Sequence, residues 1–197
     1  MTEPTQPRRR NAVATRAAIL ASAREAFARA GYDGAGVREI AHGAGVTAML
    51  VNRYFGSKER LFAEAITQSM TTTSVLTRRL ADASISGEEL AALLVEITRA
   101  DATPLEGFQI LLRSAASERA AQIGRESIED FHQKSITAAL GGNLPAQRAA
   151  VLISIVAGFQ MMRQMIGLGA LADAASADLV AVLGPLFQQL IDGERSN

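Results

Sequence analysis

Helical periodicity is the feature that most constrains the fold of this 197-residue chain. Near the start, Ile19, Ala23 and Phe27 recur at intervals of four residues, which places them on one face of a helix. No window of strand length alternates between apolar and polar residues. The sequence therefore predicts an all-α fold of about nine helices, the first running from about Ala12 to a left-handed cap at Gly31.

Polar caps and glycine–proline pairs predict where the later helices begin and end. Ser86 with Glu89 fits a reciprocal capping box, and so does Thr103 with Glu106. Gly193 is placed to stop the last helix. After a long helix from about 58 to 83, which would join two lobes, we expect helices at about 87–100, 104–116, 118–140, 145–168 and 176–192.

Composition excludes several classes of site. The chain has no cysteine and two histidines, which rules out disulfides and thiolate metal sites and argues against a dedicated zinc or iron centre. It has no nucleophile elbow, phosphate loop or paired-histidine motif, so we expect neither an enzyme nor a cofactor. The longest apolar run, residues 149–159, is shorter than the roughly 20 residues of a spanning helix. These features predict a soluble, cytoplasmic protein.

The net charge of zero conceals an asymmetry between the two ends of the chain. The first 60 residues carry ten Lys and Arg against five Asp and Glu, and the remainder carries the compensating negative charge. A basic lobe on an acidic body is expected where only the first lobe meets a polyanion. Chance is the alternative explanation, and charge alone does not decide between them.

Residues 37–61 have the spacing of a helix-turn-helix. Ala41 is small where the two helices would cross, and Gly45 falls where the turn needs a left-handed backbone. Ile40 and Val51 lie on the faces that must pack together. We expect one helix over 37–43 and a second that starts after Thr47, a plausible N-cap, and reaches residue 55.

The outer face of this motif carries hydrogen-bond donors suited to phosphates or base edges. For Arg38 and Arg53, the alternative to a DNA contact is a solvated charge on the protein surface. Residues 1–11 contain two prolines and three arginines, and we expect a disordered basic tail that either touches DNA or is merely solvated. The outward donors are Arg38, Thr47, Asn52, Arg53, Tyr54 and Lys58.

The last two helices carry more apolar surface than one buried face requires. We infer a two-fold homodimer through these two helices, with Gly158 allowing close approach. The alternative is that both are central core helices of a monomer. The apolar residues are Leu152, Ile155, Val156, Phe159, Met162 and Ile166 on one helix, and Leu179, Val180, Leu183, Leu186, Phe187, Leu190 and Ile191 on the other.

The middle and later helices also supply candidates for an effector pocket, which would take a largely apolar small molecule. Arg113, His132 and Arg163 are candidates for orienting a polar group of that ligand, although we expect each on the surface. Ordinary core packing is the alternative for the apolar set, which is Phe108, Leu112, Phe131, Phe159, Met162 and Met165.

Three stretches, AGYDG, REIAHGAGV and YFGSKERLF, resemble the TetR family of bacterial transcriptional regulators. The match covers about residues 19–62. The resemblance implies a helix-turn-helix DNA-binding domain at 12–57, after the tail at 1–11, and a ligand-binding and dimerisation domain at 58–197. It also implies that the second helix of the motif is the recognition helix.

The resemblance assigns roles to individual residues. Thr47, Ala48 and Met49 would lie nearest the base edges, and Arg38 matches a position that reaches a base in some members. Tyr54 and Lys58 match positions that hold phosphates. The chain departs from the family pattern at two places: Asn52 stands where a tyrosine is usual, and Gly36 stands where a threonine or serine commonly caps the preceding helix.

The function implied is that of a ligand-responsive repressor, which binds a palindromic operator as a homodimer and is released by a small-molecule effector. The alternative is a constitutive or architectural DNA-binding protein whose body only dimerises.

Overall fold

A computed structural model describes residues 6–81, 85–99 and 106–193, and these ranges are all-α. Two π turns, Glu129–Gln133 and Met161–Ile166, join or extend helices. The α-helices are α1 (Gln6–Gly34), α2 (Val37–Gly43), α3 (Ala48–Phe55), α4 (Lys58–Ser69), α5 (Thr71–Ala81), α6 (Gly87–Ile97), α7 (Glu106–Ser114), α8 (Glu118–Ile128), α9 (Lys134–Ala139), α10 (Pro145–Gln160), α11 (Gly169–Ala172) and α12 (Ser176–Asp192).

The predicted all-α class is confirmed, although the described ranges contain eleven continuous helices once segments joined by π turns are merged. Two features raise the count above nine. The single helix expected over 58–83 is wrong, because α4 ends at Ser69 and α5 starts at Thr71. The break falls at Met70, and the three threonines that follow it form the first turn of α5. The short helix α11 was not expected.

The first helix begins earlier than the sequence predicted. Residues 6–11, expected in a disordered tail, are helical, and the position of Pro7 in the first turn is compatible with this because the amide hydrogen that proline lacks is not needed there. Residues 1–5, the rest of that tail, lie outside the described ranges. Gly31 has the expected positive φ of 69°, but it kinks the helix, which resumes and ends at Gly34.

The chain divides into two compact units. The first contains the residues up to Ser69 together with Glu106–Glu126, and the second contains Met70–Leu105 and the residues from Ser127 onward. Helix α7 therefore packs with α1 and α4, far from it in sequence. The functional division at residue 57 stays a prediction.

An aromatic cluster forms the core of the first unit. The ring of Phe62 meets Phe27 and Tyr32 edge-on, with centroids 5.0 and 4.9 Å away. Ile19 and Leu61 are fully buried beside them. This core joins α1 to α4, while α2 packs on α1 and α3 packs on α2 and α4.

The core of the second unit lies where α6 packs against α12. Gly87 and Gly184 allow the two backbones to approach, since a Cβ on Gly87 would lie 2.4 Å from the Gly184 carbonyl oxygen. The capping box of Ser86 and Glu89 begins α6 as predicted, with the Glu89 amide donating to Ser86 Oγ at 3.1 Å. The second predicted capping box includes residue 103, outside the described ranges.

Two arginines of the helix that begins at Pro145 are buried and cap other elements of this unit. The expectation that Arg163 is on the surface is wrong, and so is the same expectation for His132, whose Nδ1 lies 3.1 Å from Thr77 Oγ1. Both are buried by long-range packing. Arg148 donates to the carbonyls of Gly141, Asn143, Leu190 and Ile191, and Arg163 donates to Val95 O, Leu171 O and Thr98 Oγ1.

The same helix with its π turn, Pro145–Ile166, is the one described helix that is long and apolar enough to cross a membrane, with a mean hydropathy of 1.5 over its most apolar window. The core helix of a soluble protein meets the same criterion. The apolar run of residues 149–159, on which the sequence expectation rested, is half the length of this segment.

Candidate nucleic-acid interface

The turn between α2 and α3 has the geometry that the sequence predicted. Gly45 has a φ of 66°, and its amide donates to the His42 carbonyl at 3.0 Å. The Val46 amide donates to the Ala41 carbonyl at 2.9 Å, which closes the turn. Thr47 then caps α3, accepting from the Leu50 amide at 3.3 Å.

The inner face of the motif is buried against α1. Ile40, Ala41, Val51 and Phe55 are each at most 5% exposed. Ser22 of α1 donates its hydroxyl to the Ile40 carbonyl at 2.9 Å, which fixes α2 on its support. Packing on this side leaves the opposite face of α3 free to meet a ligand.

The predicted donors occupy that outer face. Arg38, Thr47, Asn52 and Arg53 are exposed, and Met49 is 78% exposed. The remaining predicted contacts, Ala48, Tyr54 and Lys58, are partly buried. The fold therefore presents residues from the start of α2, from α3 and from the start of α4 around the helix-turn-helix.

Lys58, at the start of α4, has a partner that the sequence analysis missed. Its Nζ lies 4.6 Å from the centroid of the Tyr32 ring, a cation–π distance. The Tyr32 ring is buried, so it offers a fixed platform for the ammonium group. The stretch AGYDG contains this tyrosine, but its spacing from Lys58 gives no signal of the contact.

The neighbouring acid is held in its charged form. Hydrogen bonds from Ser57 and from its own backbone amide lower the pKa of Glu59, and a further bond from the Tyr32 hydroxyl acts in the same direction. Burial raises the pKa of Tyr32, and the charge of Glu59 raises it further. Tyr32 is therefore a neutral donor at physiological pH, beside a carboxylate near the positive end of α4.

The start of α2 lacks a capping hydroxyl, as Gly36 implies. Glu39 partly compensates, since its Oε2 accepts from the Gly36 amide at 3.5 Å. Glu39 also pairs with Arg29 of α1. Arg38, the neighbouring cation, is exposed and available to a ligand.

Sequence models of one family match both parts of the chain. The model described as bacterial regulatory proteins, tetR family, matches residues 19–65, and the tetracyclin repressor-like C-terminal domain matches residues 84–191, more than half of the chain. The chain belongs to the TetR family of transcriptional regulators. The resemblance seen in the sequence is thereby confirmed. No curated protein matches the chain significantly.

Solved structures of TetR-family regulators have the same fold. A TetR-family regulator from Streptomyces coelicolor is 22% identical, with 97% of this chain and 98% of that chain covered and a TM-score of 0.59. NalD, the secondary repressor of the MexAB-OprM multidrug efflux pump in Pseudomonas aeruginosa, is 24% identical over 92% and 97% of the two chains, with a TM-score of 0.61. At this identity the similarity establishes the fold alone.

The residues expected to line an effector pocket in this TetR-family protein do not all fall in one unit. Phe108 and Leu112 belong to the first unit, and Leu112 is 49% exposed. Phe131, Phe159, Met162 and Met165 belong to the second. Of these four, Phe159 is buried and the other three are exposed. Arg113 is exposed, as expected.

Two open clefts mark the surface of the second unit, and neither is lined by the six predicted residues. One encloses about 410 Å³ and the other about 520 Å³. The first is lined by Asn143, Leu144, Arg148, Val151, Ile155, Leu186, Gln189, Leu190 and Gly193. The second is lined by Ser86, Glu88, Ala177, Val180, Ala181, Gly184, Pro185 and Gln188.

Proposed function

We propose that this TetR-family protein is a ligand-responsive repressor that binds a palindromic operator as a homodimer and is released by a small-molecule effector. The observation that carries the proposal is the exposed outer face of α3 on a buried aromatic support. A repressor role also agrees with NalD, a structural neighbour that is itself a repressor. We expect the protein to act in the cytoplasm.

We assign the DNA contacts to the outer face of the motif. Thr47, Ala48 and Met49 would meet base edges, although Ala48 and Met49 offer only apolar contacts such as a thymine methyl. Arg38 has the planar fork that suits guanine. The remaining contacts, to phosphates or an adenine edge, are assigned to Asn52, Arg53, Tyr54 and Lys58. Few polar base contacts imply that DNA shape contributes to specificity.

We assign the dimer interface to α10 and α12. Val151 on α10 and Val182 and Leu186 on α12 are between 45 and 67% exposed. Val151 and Leu186 line the same cleft and Val182 lies one helical turn from Leu186, so the three form an adjoining apolar surface that a partner would cover. A Cβ on Gly158 would meet nothing within 4 Å in its own subunit, which leaves room for a partner helix. Light scattering at micromolar concentration tests the assignment: a mass near 20.8 kDa excludes the dimer.

We place the effector contacts near the π turn Met161–Ile166, whose backbone departs from the α-helical pattern. Met162 and Met165 lie within this turn, and Phe159 precedes it by two residues. Such turns are frequent at functional sites. A ligand releases DNA only through its differential affinity for the two states of the protein. An operator complex that no small molecule dissociates would favour the constitutive DNA-binding alternative.

Selection of bound fragments from the source genome is the decisive test. The proposal predicts enrichment of one inverted-repeat sequence, with half-sites about one or two helical turns apart. Lys58→Ala should weaken binding to specific and random duplexes alike, whereas changes on α3 should alter the selected sequence. Recovery of fragments without a common sequence would overturn the operator proposal.

A further inference from the structure

The phosphate-contacting lysine is held in place by a chain of contacts that reaches α7. We propose that Tyr32 is a positioning residue for Lys58, and that Ser114 of α7 fixes Tyr32, so that displacement of α7 changes how firmly the protein holds a DNA phosphate. The inference rests on the proposed role of Lys58 and adds a means of regulating it. Each of these residues lies within the first compact unit.

The first link joins α7 to the kink in α1. The non-helical backbone of Gly31, with φ 69° and ψ −178°, turns the next peptide out of the helical pattern. The amide of Tyr32 donates instead to Ser114 Oγ at 2.9 Å, and Ser114 is only 3% exposed. A buried amide without this acceptor would be costly, so the hydroxyl fixes the backbone of Tyr32.

The backbones of the two helices also meet directly at this point. A Cβ at Gly31 would lie 2.5 Å from the Arg113 carbonyl oxygen, so the kink leaves no room for a side chain or for an inward shift of α7. Movement of α7 toward or away from α1 therefore acts on the residues beside Tyr32.

The second link joins Tyr32 to the start of α4. Its ring packs edge-on against Phe62 at 4.9 Å, which fixes the plane that faces Lys58. The Lys58 ammonium lies 4.6 Å from the ring centroid, and the Tyr32 hydroxyl bonds to Glu59. Only one side of the ammonium meets the ring, so its other N–H donors are free to bind a phosphate, with the side chain already ordered.

This arrangement predicts which changes act through Lys58. Tyr32→Leu keeps an apolar side chain but removes the ring, whereas Tyr32→Phe keeps the ring and the packing and removes only the hydroxyl. Ser114→Ala removes the acceptor alone. Ser135→Ala is the matched control, because Ser135 is an exposed serine of α9 in the second unit, outside the proposed DNA and dimer contacts.

The experiment measures binding to a random-sequence DNA duplex over a range of salt concentrations. Lys58→Met should reduce the slope of log affinity against log salt by about 0.9 for each phosphate that the lysine neutralises. We expect Tyr32→Leu and Ser114→Ala to reduce the slope in the same direction and to lower affinity about two- to five-fold. Tyr32→Phe and Ser135→Ala should keep the slope, and Tyr32→Leu should add nothing in a Lys58→Met background.

A second measurement reads the placement of Lys58 without DNA. The ε-methylene group is bonded to the Nζ that lies 4.6 Å from the Tyr32 ring centroid, so we expect the ring current to shift its proton signals upfield in the unmodified protein and in Tyr32→Phe. The shift should vanish in Tyr32→Leu and shrink in Ser114→Ala, with Ser135→Ala unchanged. A folded Ser114→Ala variant that retains both the shift and the salt slope would overturn the relay.

The two readouts separate the relay from the function on which it rests. If Lys58→Met keeps the unmodified salt slope, Lys58 holds no phosphate, and both the proposed phosphate contact and the relay to it are wrong. If Lys58→Met lowers the slope while Tyr32→Leu does not, the role of Lys58 in DNA binding stands and the positioning role of Tyr32 is excluded.

Discussion

The guanidinium carbon of Arg16 lies 4.7 Å from the centroid of the Phe55 ring, and Arg16 Nη2 lies 2.5 Å from Glu64 Oε2. One side chain of α1 thus holds the end of α3 and the middle of α4. We predict that Arg16→Met lowers the free energy of unfolding by about 1 kcal/mol, the sum of a cation–π interaction and a half-exposed ion pair. Chemical denaturation measures the decrease, and Arg125→Met, at an exposed arginine of α8, is the control. Equal effects of the two changes would contradict the prediction.

Arg38 is predicted to read one base. Arg38→Ala should cost about 1–3 kcal/mol of operator affinity and relax the preference at one position, because alanine cannot donate the paired hydrogen bonds to guanine. Arg38→Lys keeps the charge without the fork, so it should keep the salt dependence and still lose the base preference. Competition between operators that differ at single positions measures both. If Arg38→Ala changes neither affinity nor preference, the assigned base contact is wrong.

Gly43 is predicted to be required where α2 crosses α1. A Cβ there would lie 2.4 Å from Ser22 Oγ and 3.4 Å from Ser22 Cβ. Gly43→Ala should therefore cost about 1–3 kcal/mol of stability through overpacking. Ser22→Ala alone should cost about 0.5–1.5 kcal/mol for the bond to the Ile40 carbonyl. The double variant should be destabilised by less than the sum, which thermal denaturation of the three proteins can determine; additive effects would count against the clash.

Substitution of Gly87 by alanine is predicted to lower stability more than the same substitution of a glycine that faces solvent. Its Cβ would lie 2.3 Å from the Gln188 backbone nitrogen and 2.4 Å from the Gly184 oxygen, and no side-chain rotation relieves contacts to backbone. Gly87→Ala should separate α6 from α12 and cost about 3 kcal/mol or more. Gly141→Ala, where a Cβ meets nothing within 4 Å, should change stability by less than about 0.5 kcal/mol. Denaturant unfolding compares the two.

His132 is predicted to make stability depend on pH. Burial lowers the pKa of His132 below its ordinary value of 6.5, so the unfolded chain binds the proton more tightly than the folded one. The contribution of this group is fully present above pH 6.5 and is lost as pH falls through the lowered pKa. His132→Asn, whose amide can stand in for Nδ1 toward Thr77, should flatten the pH profile of the unfolding free energy between pH 7 and 5. A profile unchanged by the substitution would exclude His132 as its source.

Local signals carried most of what the sequence predicted. Thr47, Gly45 and Ser86 act within a few residues of themselves, so their roles as caps and turn residues followed from spacing alone. The break before Thr71 is also local, but the apolar residues on both sides of it supported one uninterrupted helix.

The spacing of residues along the sequence could not predict contacts between segments that are distant in sequence. Nothing local distinguishes Arg163, which is buried among carbonyls, from the exposed Arg113. The platform that Tyr32 provides for Lys58 depends on the kink at Gly31 and on Ser114, more than 80 residues away in sequence. Side chains that join remote helices therefore required the structure, whereas the caps and turns of most helices did not.

The two buried arginines, Arg148 and Arg163, restrict the environments in which the helical segment Pro145–Ile166 is stable. Arginine does not lose its proton in proteins. Arg148 and Arg163 therefore carry charges near the two ends of an otherwise apolar helical segment. Transfer of that segment into lipid would strip the arginine donors from the carbonyls that they cap, and each carbonyl left unpaired in hydrocarbon would cost several kcal/mol. The hydrogen bonds of the two arginines thus hold the segment Pro145–Ile166, whose composition alone suits a bilayer, against the neighbouring helices.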